Sequence, residues 1–365
     1  MKKIIFLLLL SCLTGCTGIL PVIVHELSRQ NSSNIRIASD LPVSNMPCLP
    51  RQRFSHSELS LGENISSELV KAFLVGNFEK IEEFYNIYRH RTSRTPDGRW
   101  KLPLFYGEFS LINLNNEVSW RQNEEQILNW IKAYPKSPAP YIVYSNFLIT
   151  RAWSFRGGGF AEEVTPEAWK LFKQNIKLAR ATLEKNQEVA SLDPEWYANM
   201  LTIAKLQGWS KREVKNLLHE ALSKEPYYLE TYYKVFSYLL PKWSGSFEEA
   251  EQFVDDVVAV TKKCEGRGMY ARIYWIAFSR EYEFNENPFA PAQINWKKMR
   301  EGFEDIMVRY PDAWNLNNYA KFACLARDKE KARALINKIG SKPLIEAWDQ
   351  DDVNFTNCQK WALEP

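Results

Sequence analysis

The most constraining feature of this chain is a spacing. Pro194 and Pro226 lie 32 residues apart, and so do Pro311 and Pro343. A proline cannot sit inside a helix without breaking it, and it drives the preceding residue towards extended backbone, so each of the four marks a helix boundary. Helix-start signals cluster around these boundaries. Thr165-Pro166-Glu167 and Asp193-Pro194-Glu195 each supply a capping side chain followed by proline at the first helical position, where the missing N–H costs nothing. Ser210-Lys211-Arg212-Glu213 and Ser246-Phe247-Glu248-Glu249 both fit the reciprocal capping box. Upstream, Leu69, Val70, Phe73 and Leu74 recur at helical steps, as do Ile81, Phe84, Tyr85 and Tyr88 after Gly76-Asn77, which predicts a helical hairpin. Alternating strand-like runs are scarce, and only Arg99 to Pro103 invites a short extended segment. The expectation is an all-α fold.

A 32-residue step is close to the 34-residue helix-turn-helix period of tetratricopeptide units. Leu316, Ala320 and Ala323, with Asp328 in the turn and Ala332 and Ile336 beyond it, sit where such a unit places its small and apolar packing residues. The units are clearest over 195–263 and 313–343, one of them with an enlarged turn from Pro241 to Ser246. Because each unit buries its apolar face only by stacking on a neighbour, a tetratricopeptide-like helical-hairpin array with a concave side is predicted for residues 62–365. The 14% aromatic content is read mainly as its packing material.

The chain begins Met1-Lys2-Lys3, continues through apolar Ile4 to Leu10, and reaches Leu13-Thr14-Gly15-Cys16. This resembles a bacterial lipoprotein signal, with residues 1–15 cleaved and Cys16 acylated. A retained membrane span is the alternative, since no charge falls between Lys3 and His25, although Gly15, Gly18 and Pro21 weaken it. Either way the rest of the chain is sent outward. Thr17 in place of the aspartate that retains lipoproteins at the inner membrane points to the outer membrane of a two-membrane cell. Residues 16–61, rich in Ser, Asn and Pro, read as a flexible tether, with packing of part of it on the body left open. Losing Lys2 and Lys3 lowers the net charge from +3 to +1, which gives no electrostatic case for nucleic acid. Cys48, Cys264, Cys324 and Cys358 remain in a disulfide-permitting compartment, and Cys324–Cys358 is the first bridge to expect against buried free thiols.

A series of strings, taken in order, resembles the bacterial family known as domain of unknown function 4034. They include Arg156-Gly157-Gly158-Gly159-Phe160-Ala161, Pro194-Glu195-Trp196-Tyr197, Gln207-Gly208-Trp209, Glu225-Pro226-Tyr227-Tyr228, Leu239-Leu240-Pro241-Lys242-Trp243, Tyr270-Ala271-Arg272-Ile273-Tyr274-Trp275 and Asn318 to Ala326. The likeness spans roughly residues 70 to 340. It implies an all-helical, repeat-like domain and brings no activity with it. Where units of this kind carry Gly-Asp in the last turn, this chain has Arg327-Asp328, which puts a left-handed helix end there in question.

Chemistry is marked mostly by absences. The chain lacks His-Glu-x-x-His, Cys-x-x-Cys, Gly-x-Ser-x-Gly and Ser-x-x-Lys, and has no phosphate-binding glycine loop, so no catalytic residue, metal site or cofactor is assigned. Arg156-Gly157-Gly158-Gly159 reads either as an anion-holding loop or, preferably, as a helix stop whose arginine answers the helix dipole. Arg156, Trp196, Tyr197, Trp209, Trp243, Tyr270 and Trp275 are the candidates for a binding groove, because Trp and Tyr anchor peptides well. The expected function is a membrane-anchored envelope scaffold, held in the membrane through acylated Cys16, that binds an envelope protein or peptide. The alternative is a carbohydrate-active enzyme using an acidic pair among Glu162, Glu163, Glu195, Glu213 and Glu225 with aromatic stacking.

Overall fold

The computed structural model describes residues 36–37, 41, 47–49, 68–110, 116–281, 284, 288–289, 294–349 and 352–364. The stretch read as a signal sequence, and Cys16, lie outside them. The described residues form helices throughout, with one isolated β-bridge between Arg94 and Trp100. In chain order the helices are α1 (68–74), α2 (Phe78–Tyr88), α3 (Leu102–Ser110), α4 (Glu117–Ala133), α5 (Ala139–Arg156), α6 (Pro166–Lys185), α7 (Gln187–Ala190) and α8 (Pro194–Gln207). They continue as α9 (Lys211–Lys224), α10 (Leu229–Tyr238), α11 (Phe247–Glu265), α12 (Gly268–Arg280), α13 (Trp296–Arg309), α14 (Ala313–Leu325), α15 (Lys329–Ile339) and α16 (Asp352–Leu363).

Local chemistry sets these boundaries. Tyr134, Glu225 and Tyr310 each end a helix, each precedes a proline, and they share one non-helical conformation, with φ of −129°, −143° and −133° and ψ of 60°, 89° and 73°. A following proline keeps its predecessor out of the α region, which stops each helix there. The start signals also act as expected: Thr165 accepts from Ala168 N, Asp193 from Glu195 N, and Ser210 and Glu213 close a full capping box. Ser246 caps Glu249 N without a reciprocal bond. Arg327 takes φ of +58°, and the amide of Asp328 donates to Ala323 O at 3.0 Å, so the left-handed helix end forms without glycine. An L-residue there costs about 1–2 kcal/mol.

The pairs α8/α9, α10/α11, α12/α13 and α14/α15 repeat along the chain and stack in order, as the helical-hairpin reading requires. First helices meet first helices along α8–α10–α12 more extensively than second helices meet second helices, so the stack curves with the first helices inside. Burial follows from this layering. On outer helix α9 only Lys211, Val214, Leu217, Leu218, Ala221 and Leu222 are buried, one stripe at helical spacing, whereas inner helix α8 is buried without a break from Glu195 to Leu201.

Part of the segment read as a tether lies on this stack. Ile37 and Leu41 are buried, Arg36 pairs with Asp256 on α11, Leu49 O accepts from Arg309, and Cys48 is bridged to Cys264 at the end of α11. The tether assignment is therefore corrected at 36–37, 41 and 47–49. Cys324 and Cys358 form the second bridge.

Candidate functional site

The inner face of the array is partly filled by the chain itself. Between α2 and α3 runs Thr95-Pro96-Asp97-Gly98, which has proline at the second and glycine at the fourth position of a tight turn. Gly98 N donates to Thr95 O at 2.9 Å, Thr95 N to Arg99 O at 2.8 Å, and Lys101 N to Ser93 O at 2.9 Å, which closes a small hairpin. The extended segment anticipated at Arg99 to Pro103 is present as its second arm only as far as Lys101; Leu102 and Pro103 already belong to α3, which corrects that end of the expectation. Gly98 has φ of +89°, and a Cβ there would meet the Tyr310 ring at 2.7 Å, so both backbone and packing demand glycine. The tip is pinned to the inner helices. Asp97 O accepts from Arg272 Nη2 on α12 at 2.6 Å and from Asn315 Nδ2 on α14 at 3.1 Å, while Trp100 packs edge-on against Tyr228.

Beside this hairpin lies a cavity of about 370 Å³, within the range that encloses small molecules and peptide side chains. Its apolar wall comes from Trp100, Leu104, Leu229, Met269 and Ile276, and its charges from Arg94, Arg99, Arg272, Arg280, Glu108, Glu230 and Glu265. Two of the arginines already have carboxylate partners, Arg99 with Asp97 and Arg280 with Glu230 at 3.2 Å. Burial would raise the pKa of Asp97, but Arg99 and Arg272 outweigh it and hold the group below its ordinary value. Glu230 behaves alike, with Arg280 and Lys234 outweighing burial.

Behind the wall sits a buried acidic cluster. Asp193 accepts hydroxyl bonds from Tyr85 and Tyr106, both at 2.8 Å, and Glu195 accepts one from Tyr228. Burial pushes the Asp193 carboxyl up, and burial reinforced by nearby Glu230 pushes Glu195 up to about 8. These groups join the N-terminal helices to α8 and α10.

The seven groove candidates do not converge, and none lines this cavity. Trp196, Tyr197 and Tyr270 are buried at 1–3% exposure, so their assignment to an open groove is corrected: these faces of α8 and α12 are covered by neighbouring helices. Arg156 donates to Gly157 O and Gly159 O and stacks on Trp153 and Trp169, closing the glycine loop with a cation where an anion would have to sit. Trp209 lies under Arg180, Trp243 under Lys205, and Trp275 packs on Phe303 and Trp314. Four of the five acidic candidates are occupied or dispersed. Glu163 and Glu213 cap helices, Glu225 faces Arg91, and Glu162 is exposed.

Sequence reasoning missed Arg94, Arg99, Trp100, Arg272 and Arg280. The available signal was the Thr-Pro-Asp-Gly turn, flanked by arginines and set between two helices. Among the described residues no three or more His, Cys, Asp or Glu groups are placed to hold a metal ion, and no helix is long and apolar enough to cross a membrane. A scan of protein-family models finds no match to this chain, and a comparison with characterised proteins finds none either.

Proposed function

We propose that this chain is a lipid-anchored lipoprotein of the bacterial outer membrane, akin to the domain of unknown function 4034 family, whose helical array binds a peptide segment or protein surface. The receiving site is the cavity between the 92–101 hairpin and helices α10 and α12. The observation that carries this reading is that the cavity combines an apolar wall with several convergent charged groups on a rigid inner face, while no catalytic motif accompanies it. Because the hairpin fills part of the inner face, the partner enters by a side chain or chain end instead of lying extended along the groove. Two disulfides suit the oxidising envelope that the lipoprotein signal implies. With Arg36 held on α11, the 20 residues from Cys16 reach at most about 72 Å, so the array works close to the membrane.

One observation favours the enzyme reading: Glu195 is raised and Glu230 lowered, the opposed pair that acid–base chemistry uses. Glu195, however, does not line the cavity, and it accepts the Tyr228 hydroxyl. Binding is the better-supported function.

Leu104, 39% exposed on the cavity wall, offers the test. Photo-crosslinking from position 104 in envelope membranes should tag a partner that a crosslinker at outward-facing Leu171 does not. Leu104→Trp should cut partner retention at least about tenfold with helical content unchanged. Cys16→Ala should release the protein from the membrane fraction and abolish labelling there. Equal labelling from both positions, or full retention by Leu104→Trp, would remove the cavity from the mechanism.

A further inference from the structure

The cavity's charges are not all matched from within. Its lining carries four arginines against three glutamates. Arg99 and Arg280 have their carboxylates, and Glu265 faces Arg309 at 4.0 Å. Arg272 is different. It is only 5% exposed, it donates to the backbone carbonyl of Asp97, its guanidinium stacks on Tyr310, and it acts on the Asp97 carboxylate through space without a direct ion pair to it. Arg94 is different in the same way. Its Nε and Nη1 donate to Arg91 O and Gly98 O, it lies over the Trp100 ring, and its Nη2 is buried without a hydrogen-bond partner. Burial pulls the Arg94 pKa down and neighbouring Arg272 adds to this, against the opposing pull of Tyr310, Glu265 and Glu225.

We propose that the cavity binds a carboxylate, its oxygens held by Arg272 and Arg94 and its apolar body against Trp100, Leu104, Met269 and Ile276. A guanidinium presents parallel N–H donors that match the two oxygens of a carboxylate, and such charge-assisted bonds strengthen away from water. The carboxylate belongs either to a peptide chain end or to a free apolar acid, the two sources of this chemistry.

This assignment rests on the cavity being the binding site and is tested separately from it. Isothermal titration calorimetry on the folded protein compares 3-phenylpropanoate with 3-phenylpropanamide, and the dipeptide Leu-Phe with its C-terminal amide. Each acid should bind at least about tenfold more tightly than its amide. Arg94→Gln removes two bonds to loop carbonyls and the cation–π contact with Trp100, and should erase that preference while leaving the melting curve cooperative. Arg94→Lys, which keeps the charge without the fork, should recover part of it. Tighter binding of the dipeptide than of 3-phenylpropanoate identifies a peptide terminus, and equal binding a free acid. Acid and amide binding alike, neither binding, or an acid preference intact in Arg94→Gln overturns the carboxylate site. If the crosslink at position 104 persists in any of those cases, the cavity still receives a partner and only its chemistry has been misread.

Discussion

At neutral pH the Glu195 carboxyl is mostly a neutral acid, because burial, assisted by Glu230, raises its pKa to about 8. In the unfolded chain it titrates near 4.5. Between those two values the folded state therefore holds more protons than the unfolded state, so stability falls as pH rises, and the loss levels off only above about 8. A glutamine side chain at this position carries no titrating proton yet still accepts the Tyr228 hydroxyl. The Glu195→Gln protein should thus lose less stability than wild type between pH 5 and about 8, measured as urea midpoints across that range; parallel profiles for the two proteins would contradict the assignment. At this same scale the sequence is least legible. Trp196, Tyr197 and Tyr270 look like groove aromatics by type, and their burial is decided by neighbouring helices that no local pattern reveals.

Among the elements, the helices were readable and the hairpin was not. Asp193, Ser210 and Thr165 cap helices as their spacing predicts, because a cap acts within one turn. The 92–101 hairpin carries an equally local turn signal, but what it does depends on where its tip lands. Gly98 is the test of that landing. Gly98→Ala imposes a strained positive φ, which alone costs about 1–3 kcal/mol, and thrusts a methyl into the Tyr310 ring. It should lower unfolding free energy by at least that amount in urea. It should also disturb the cavity, with weakened binding of 3-phenylpropanoate exceeding any effect of Gly208→Ala, where the left-handed glycine meets open space.

For the whole molecule, nearest-neighbour stacking would make the array quasi-one-dimensional, free to fray from its ends. Long-range ties change that. Cys48–Cys264 spans 216 residues, Arg272 reaches Asp97, and Tyr85 and Tyr106 reach Asp193, so the N-terminal part is fastened across the inner face. Replacing Cys48 and Cys264 together with Ser should cost about 2–4 kcal/mol, seen as a lower urea midpoint in oxidising buffer and no difference from wild type once both are fully reduced.

The sequence by itself determined the all-α class, the helix boundaries and the paired-helix period, because prolines, caps and apolar spacing each act over a few residues and leave their mark locally. It also pointed to the Cys324–Cys358 bridge. Only the tertiary structure decided that a turn near residue 97 folds onto the inner face, that Cys48 returns to α11, and that Arg94, Arg99, Arg272 and Arg280 share one cavity. Those encounters join segments up to 218 residues apart, and they depend on how stacked helices curve. Curvature is the sum of many small packing rotations, so it writes no motif into any one stretch of chain.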